Sequence, residues 1–188
     1  GRGGKGVIGM ETREEDFVEH LFIASTHDYI LFFTNTGKCH WLKVHEIPVG
    51  GRGTKGKSIT NLLELAEGER IRAFAPVKEF DEKHYVMMTT KNGTIKKTEL
   101  SAFSSPRRGG INAINIDEGD ELIDATITDG TCDIVLGTKE GLAIKFPEDK
   151  VRSMGRTAHG VRGISLRGKD LVVDMVVIKR DASLYFSS

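Results

Sequence analysis

Short apolar and β-branched runs, separated by polar or glycine-containing turns, dominate the hydrophobic pattern of this chain. Three of the turns share the pattern Thr-x-x-Gly and have an apolar run on each side: Thr34–Gly37, Thr90–Gly93 and Thr138–Gly141. In the second turn, Asn92-Gly93 is a strong hairpin signal, because both central residues of such a turn must adopt positive φ. The length and β-branched content of the runs favour strands over helices.

The apolar runs recur in three sets, and each set predicts strands at one place in a repeating unit. The runs before the turns are Tyr29–Phe33, Tyr85–Met88 and Ile134–Leu136, and the runs after them are His40–Val44, Thr94–Leu100 and Leu142–Phe146. A third set stands earlier in each unit: Leu21–Ala24, Ile71–Phe74, Leu122–Ile127 and Leu171–Ile178. Only Ile59–Ala66 has a spacing typical of a helix.

A glycine-rich, basic phrase separates the units. It occurs as Gly1–Gly6, Gly51–Gly56, Pro106–Gly110 and Gly155–Gly160. Counted from Arg2, Arg52, Arg108 and Arg156, the steps are 50, 56 and 48 residues. The fourth residue after each of these arginines is Gly6, Gly56, Asn112 or Gly160, and Gly and Asn are the residues that most readily adopt positive φ. We therefore interpret the phrase as a bent connector that enters a strand.

Self-similarity at a period of about 50 residues indicates a repeat architecture, in which each unit buries its apolar faces against its neighbours. We expect one all-β repeat domain over residues 1–188, propeller-like, with about three and a half four-stranded blades. The units span approximately 1–50, 51–104, 105–152 and 153–188, and the last unit is incomplete. We expect the following aromatic residues to form the core between blades: Phe32, Phe33, Trp41, Phe74, Phe103 and Phe146.

Charges of the two signs are segregated along the chain, although the formal net charge is +0. Ser153–Lys169 contains several Arg and Lys residues and no acid. The other basic clusters are Arg52, Lys55 and Lys57, and Lys91, Lys96 and Lys97; the acidic runs are Glu11–Glu19 and Asp117–Asp124. Because the basic clusters recur with the period of the repeat, the sequence predicts one basic face and one acidic face.

The two cysteines, Cys39 and Cys132, are not spaced as a pair, which suggests a reducing, cytosolic setting and no disulfide framework. Cys39, His40 and His45 match no zinc-binding spacing, so we expect neither a metal nor a cofactor in this chain. No apolar run is long enough to span a membrane, and the start has no apolar segment of the kind found in secretory signals.

The opening phrase connects this chain to a known family. Arg2-Gly3-Gly4-Lys5-Gly6 is similar to the end of a seven-residue box in the C-terminal domain of DNA gyrase A subunits, which reads Gln, two basic residues, Gly, Gly, a basic residue, Gly. The later phrases resemble degenerate copies of this box in successive blades. The turn glycines and Ile178–Asp181 also resemble landmarks of that domain. The A-type subunit of topoisomerase IV has a similar domain without a well-formed box, so Arg2–Gly6 favours gyrase.

The resemblance implies a β-pinwheel, a propeller-like disc that wraps double-stranded DNA around a basic rim and supports negative supercoiling by gyrase. It implies partnership with the rest of the gyrase A subunit, partnership with the gyrase B subunit, no membrane, and a cytoplasmic, nucleoid-associated location in bacteria. It also places the ATPase on the B subunit, whereas the strand-cleaving tyrosine belongs to the N-terminal region of the A subunit. Tyr29, Tyr85 and Tyr185 match no such motif, so we expect this chain to be non-catalytic.

Wrapping requires cations along a convex edge, because phosphate contacts provide affinity without base readout. The recurring basic phrases supply such cations at one place in every unit. The residues expected to bind DNA are Arg2, Lys5, Arg52, Lys55, Lys57, Arg107, Arg108, Arg156 and Arg162.

Two other function classes stay open at the level of sequence. Gly51–Ser58 fits the G-x-x-x-x-G-K-[ST] pattern of a phosphate-binding loop, and Ile59–Ala66 would supply the helix that follows it in an NTPase. Against an NTPase, hairpin signals dominate and alternating strand–helix units are missing. The remaining class is a propeller that only scaffolds other proteins, since a fold does not by itself determine function.

Overall fold

Eleven β-strands lie in the part of the chain that this computed structural model describes, residues 29–46 and 61–180. They are β1 (Tyr29–Thr34), β2 (Lys38–Lys43), β3 (Ile71–Val77), β4 (Tyr85–Thr90), β5 (Thr94–Glu99), β6 (Ile111–Asn112), β7 (Leu122–Thr128), β8 (Asp133–Thr138), β9 (Ala143–Pro147), β10 (Val161–Arg162) and β11 (Val172–Ile178). Short 3-10 helices follow β2, β5 and β9, at Val44–Glu46, Leu100–Phe103 and Glu148–Lys150. The all-β class predicted from the apolar runs is confirmed, and the run Leu21–Ala24 lies outside the described residues.

Three antiparallel hairpins, β1–β2, β4–β5 and β8–β9, are the repeated element of the fold. In each Thr-x-x-Gly turn, the hydroxyl of the first threonine accepts a hydrogen bond from the N–H of the residue after the glycine. The bonds are Lys38 N to Thr34 Oγ1 (3.4 Å), Thr94 N to Thr90 Oγ1 (3.2 Å) and Leu142 N to Thr138 Oγ1 (3.0 Å). The glycines are at φ 89°, 96° and 93°, a region that side chains disfavour. The pattern therefore encodes both the turn conformation and the hydrogen bond that closes it.

Each sheet combines strands from successive sequence units. The first sheet has the order β3-β1-β2-β6, the second β10-β5-β4-β7 and the third β11-β8-β9. A hairpin comes from one unit, and a long strand from the next unit pairs with its first strand. In the first two sheets, a two-residue strand from a later unit pairs with the second strand of the hairpin. The sequence units and the sheets are therefore different divisions of the chain, and the unit boundaries stay a prediction.

The two edges of the sheets have different surroundings. The strands β3, β7 and β11 each form one edge of a sheet, and β7 contacts both β3 and β11. The strands β6 and β10 form the opposite edge of the first two sheets. We call the edge formed by β3, β7 and β11 the inner edge and the edge formed by β6 and β10 the outer edge. Long strands that meet side by side at the inner edge are typical of blades arranged around an axis.

Apolar side chains fill the space between neighbouring sheets. One cluster packs Leu31 and Phe33 of β1 with Met88 of β4, Phe103 and Leu122 of β7. The rings of Phe33 and Phe103 meet edge to face, with their centroids 5.9 Å apart. The core position between blades is confirmed for Phe33, Trp41, Phe103 and Phe146, which lie in or against clusters that join two sheets. Phe32 is buried and Phe74 packs against it, but among the described residues their cluster contains only the first sheet, the 3-10 helix that follows β2, Leu63 and Leu65, so a position between blades stays a prediction for these two.

In its described part, the stretch with helical spacing is helical over three residues. Within the described residues, 61–63 are helical and 64–66 are not. Ile59 and Thr60 lie outside the described residues. In the ranges that the structure describes, no helix has the length and apolar content needed to cross a membrane.

The hairpin glycines also make room for the chain that closes the outer edge. The carbonyl oxygen of Gly93 accepts hydrogen bonds from the N–H groups of Gly163 (2.7 Å) and Ile164 (3.2 Å). The corresponding bonds in the first sheet join Gly37 O to Ala113 N (2.8 Å) and Ile114 N (3.1 Å). A Cβ atom on Gly93 would lie 2.8 Å from the oxygen of Ile164, which is too close for a non-bonded contact. The same glycine therefore sets the turn and admits the later segment.

We expect Gly93→Ala to destabilise the fold more than Gly141→Ala. Both substitutions place a methyl group at positive φ, which costs about 1–2 kcal/mol. Only Gly93 also faces a backbone oxygen at close range, whereas no atom lies within 4 Å of a Cβ on Gly141. Urea denaturation should give a free energy of unfolding about 1–3 kcal/mol lower for the Gly93 variant than for the Gly141 variant. Equal losses would contradict the close approach of Ile164.

Candidate nucleic-acid interface

Two of the four glycine-rich phrases lie within the described residues, and both run along the outer edge. We call residues 106–112 the third connector and residues 155–162 the fourth connector; they end in β6 and β10. Gly110, at φ 88°, packs on the imidazole ring of His40, where a Cβ atom would be 2.8 Å from Cε1. Gly160, at φ 94°, lies equally close to β5, with its Cβ position 2.8 Å from the oxygen of Ile95. Glycine thus lets each connector pack directly on the second strand of a hairpin.

The structure corrects the alignment of these two connectors. Gly110 and Gly160 each precede a two-residue strand at the outer edge. Asn112 lies in β6, opposite Lys38, and is not at positive φ, so the conformation predicted for it is wrong. The reason is that Gly109-Gly110 already supplies positive φ two residues earlier. When β6 is aligned with β10, Gly110 corresponds to Gly160. The other equivalent pairs are then Pro106 with Arg156, Arg108 with Ala158, and Asn112 with Arg162.

Three predicted DNA-binding residues are accessible on the connectors: Arg107, Arg108 and Arg162. Three further cations, Arg152, Arg167 and Lys169, lie near the fourth connector in the sequence and are exposed. The remaining predicted residues apart from Arg156 lie outside the described residues; these are Arg2, Lys5, Arg52, Lys55 and Lys57. The two described connectors therefore carry accessible guanidinium groups at the outer edge.

Arg108 is paired with a carboxylate. Its Nε lies 2.9 Å from both carboxylate oxygens of Glu64, yet its side chain remains 87% exposed. Hydrogen bonds from Arg108 lower the pKa of Glu64 below its ordinary value, so the carboxylate is charged at neutral pH. Glu64 is at φ 52°, the only non-glycine residue at positive φ in the described ranges. The carboxylate occupies the planar fork through which an arginine also binds phosphate.

Arg156 is half-buried, and its contacts join the two connectors. Its Nη1 donates a hydrogen bond to the carbonyl oxygen of Asn112 (2.9 Å). The ammonium group of Lys96, which is fully buried, donates to the carbonyl oxygens of Ala113 (2.8 Å) and Arg156 (2.7 Å). Lys96 and Arg156 therefore hold the third and fourth connectors at a fixed distance from each other.

Burial of Lys96, and next the positive charge of Arg156, lower the pKa of the Lys96 ammonium from 10.5 to about 8. The charged form consequently dominates at neutral pH but is less stable than it would be in water. Two carbonyl oxygens offset part of this cost, because hydrogen bonds to a charged donor are stronger than neutral ones.

The basic cluster predicted at Lys91, Lys96 and Lys97 does not form a surface patch. Lys96 and Lys97 are buried, since β5 is paired on both sides and both of its faces are covered. The ammonium of Lys97 lies over the ring of Tyr85, 4.4 Å from its centroid. Lys91 is half-buried, with its Nζ 3.9 Å from Glu121 Oε2. A strand-interior lysine therefore belongs to the core here, although its charge suggested the surface.

The predicted separation into a basic and an acidic face is also incomplete. Glu64 reaches Arg108 on the third connector, and Asp117 Oδ1 lies 3.1 Å from Nδ1 of His159 on the fourth connector. Charges that are apart in the sequence meet here because each connector packs beside loops of other units. The outer edge is therefore basic with local carboxylate partners.

His40 occupies in β2 the position that Lys96 occupies in β5, the third residue after the turn glycine. Its Nε2 lies 2.8 Å from Oε2 of Glu69, and both side chains are buried. Burial opposes the ionisation of Glu69, but hydrogen bonds from the Ala66 N–H and from His40 keep its pKa below the ordinary value. A buried polar side chain thus supports the connector in both sheets, with different chemistry in each.

Comparison with known sequences places these features in one family. A family model described as DNA gyrase C-terminal domain, beta-propeller, matches residues 1–25, 28–78, 84–129 and 133–179. The DNA gyrase A subunit of Salmonella typhimurium is 46% identical over 183 residues, which cover 97% of this chain and 21% of that protein. The DNA gyrase A subunit of Halalkalibacterium halodurans is 52% identical over 164 residues, which cover 87% of this chain and 20% of that protein. The chain spans about a fifth of the length of these relatives.

Solved structures have the same architecture. The crystal structure of the C-terminal domain of DNA topoisomerase IV aligns with a TM-score of 0.75 and 33% identity, covering 82% of this chain and 48% of that chain. The structure of a DNA gyrase A C-terminal domain aligns with a TM-score of 0.67 and 27% identity, covering 82% of this chain and 49% of that chain. The propeller-like fold predicted from the repeat and the β-pinwheel implied by the family resemblance are both confirmed.

We expect Lys96→Met to abolish a rise in the free energy of unfolding that the wild type shows as the pH increases from about 8 to 10.5. The pKa of Lys96 is 10.5 in the unfolded chain and about 8 in the fold. The cost of burying the charge is fully present below pH 8 and is relieved as pH rises to 10.5, because the unfolded state binds more protons in this window. The wild type should therefore gain about 3 kcal/mol over this window relative to the variant.

Urea denaturation of both proteins across the same pH window measures this difference. Groups common to both proteins titrate equally and cancel in the comparison. A difference that stays constant with pH would show that the Lys96 ammonium is not desolvated in the fold.

Proposed function

This chain belongs to the family of DNA gyrase C-terminal domains, and we propose that it binds double-stranded DNA along the outer edge and bends it, without sequence specificity. The observation that carries the proposal is the position of exposed cations on two successive connectors at the same edge. Arg107 and Arg108 lie on the third connector and Arg162 on the fourth. Cations in such a row can contact phosphates at separate points along one duplex.

Phosphates are the part of DNA that these connectors suit. Phosphate contacts supply affinity independently of sequence, while base readout requires side chains or a secondary-structure element in a groove. The outer-edge strands are only two residues long, which is too short for an element that reads bases in a groove. Arginine adds a planar fork that pairs with phosphate oxygens.

Bending requires several such contacts at once. Smoothly bending a site of about 20–30 bp costs roughly 1–6 kcal/mol, so the contacts must be distributed along the curve. Lys96 and Arg156 support this role because they fix the spacing of the two described connectors through hydrogen bonds. Arg2, Lys5, Arg52, Lys55 and Lys57 belong to the same proposal, as the cations that extend the row through the first two units.

We also propose a role in the complete enzyme, because the curated relatives are A subunits of DNA gyrase. In this role the chain acts as part of the gyrase A subunit, in partnership with the gyrase B subunit. Its wrapping of DNA supports negative supercoiling in the bacterial cytoplasm, at the nucleoid. The chain itself is proposed to be non-catalytic and to contribute binding and bending.

The two competing function classes receive less support. Gly51–Ser58 lies outside the described residues, and a phosphate-binding loop joins a strand to a helix in strand–helix units, whereas the described sheets are antiparallel. A protein scaffold remains compatible with the fold, but it offers no reason for exposed arginines at the connectors. Association with DNA that did not weaken as salt concentration rises would favour the scaffold.

We expect Arg107→Ala combined with Arg162→Ala to weaken DNA binding equally for unrelated sequences. The plot of log affinity against log salt should become flatter by about 0.9 for each lost phosphate contact. Fluorescence anisotropy with two unrelated duplexes over a range of salt concentrations measures both quantities. Lys78→Ala combined with Lys83→Ala is the matched control, because these exposed lysines lie in the loop between β3 and β4, outside the connectors. The same flattening in both double variants would exclude the outer edge as the binding surface.

We expect Glu64→Gln to strengthen DNA binding by releasing Arg108. The carboxylate competes with phosphate for the guanidinium, so its neutralisation should steepen the salt dependence by about 0.9 if one contact is gained. A double-mutant cycle with Arg108→Ala isolates the effect, because Glu64→Gln should change nothing once Arg108 is absent. A gain that persists in the Arg108→Ala background would mean that Glu64 acts only through general repulsion.

A further inference from the structure

Three side chains with metal-binding atoms meet at one end of the third sheet, apart from both connectors. Asp129 and Cys132 lie in the turn between β7 and β8, and Glu148 begins the 3-10 helix after β9. One ligand atom from each residue lies within 4.8 Å of the others. Cys132 Sγ is 3.4 Å from Asp129 Oδ1. Asp129 is exposed and connects the group to solvent, while the other two side chains are buried.

Glu148 is an unusual residue for its position. It is 0% exposed, and neither of its carboxylate oxygens has a hydrogen-bond partner among the described residues. The nearest cation, Lys97 Nζ, lies 3.9 Å from Oε1, beyond hydrogen-bond distance, and donates instead to the main-chain oxygen of Glu148 (3.3 Å). A buried carboxylate without hydrogen bonds is costly and indicates a ligand that the described residues do not supply.

The neighbouring sheet provides an internal comparison for Glu148. Leu100 begins the 3-10 helix after β5, and its N–H donates to His84 O (2.9 Å), just as the Glu148 N–H donates to Cys132 O (2.8 Å). Leu100 is 3% exposed and packs in the apolar core, as its position requires. The backbone therefore accommodates leucine at this position, and the carboxylate of Glu148 lies instead near the buried ammonium of Lys97 and the side chains of Asp129 and Cys132.

We propose that Asp129, Cys132 and Glu148 bind a divalent transition-metal ion of intermediate softness, with Zn²⁺ as the best match. A thiolate with two carboxylates suits Zn²⁺ better than Ca²⁺ or Mg²⁺, which take oxygen ligands only. Three protein ligands leave one tetrahedral position for water. This inference is independent of the proposed DNA binding.

Charge and orientation at the site both suit such an ion. Binding requires Cys132 to release its thiol proton to solvent, so the thiolate, the two carboxylates, the ammonium of Lys97 and the divalent ion together have no net charge. Thr131 orients the Asp129 carboxylate, because its N–H (2.9 Å) and hydroxyl (2.7 Å) both donate to Oδ1. Partners that orient a ligand in this way are typical of metal sites.

The test uses the full chain, stripped with a chelator and titrated with Zn²⁺ and, separately, Co²⁺. We expect Zn²⁺ to raise the Tm of the wild type, and Co²⁺ to produce a thiolate-to-cobalt charge-transfer absorption. Cys132→Ser and Glu148→Leu should abolish the absorption and lower Zn²⁺ affinity at least about tenfold. Cys39→Ala is the matched control, because Cys39 is the other cysteine of the chain and lies in the core cluster of the first two sheets; it should keep both signals.

Glu148→Leu copies the residue of the neighbouring sheet but leaves the buried Lys97 ammonium without its carboxylate, so its fold is verified by circular dichroism before metal is added. Cys132→Ser keeps this ion pair and tests the proposal independently. Absence of both a Tm shift and the absorption in the wild type would overturn the proposal. Signals that survive in Glu148→Leu, or that disappear in Cys39→Ala but not in Cys132→Ser, would place the metal elsewhere and overturn it equally.

Discussion

The hydrogen bonds between a hairpin glycine and the chain two units later are the constraint on which the rest of this structure depends. A two-stranded hairpin has two open edges, and unpaired strand edges must be closed or protected. Here the next unit closes one edge with a long strand, and a later unit closes the other through bonds to Gly37 O or Gly93 O. Successive units are therefore interlocked. The same backbone hydrogen bonds hold both described connectors at the outer edge.

In both described sheets that carry a connector, the side chain beneath the connector is polar, buried and paired. In the first sheet this side chain is His40, which pairs with Glu69. In the second sheet it is Lys96, which donates to the carbonyl oxygens of Arg156 on the fourth connector and of Ala113, the residue just after the third connector. Buried polar groups of this kind contribute little net stability but strongly restrict geometry, because each must keep its partners. We infer that they determine the spacing of the surface that the connectors present.

On the outer edge, several cationic side chains lie next to carboxylates that partly neutralise them. Arg108 and His159 on the connectors lie beside Glu64 and Asp117, and the whole chain has a formal net charge of +0. A surface of this kind attracts a polyanion only where several cations act together, and its attraction weakens quickly with salt. Such a balance fits the proposal that this surface both holds DNA and releases it.

The sequence by itself determined the local elements of this protein. Thr-x-x-Gly predicts each hairpin because the glycine conformation and the threonine hydrogen bond involve only neighbouring residues, and the short apolar runs predict the strands. Only the tertiary structure decided which strands share a sheet, that Lys96 is a buried support, and that Gly110 rather than Asn112 is the counterpart of Gly160. These features depend on backbone pairing between residues some 30 to more than 70 positions apart, as Thr90 with Leu122 and Gly93 with Gly163, and no local pattern of residue types specifies such a partner.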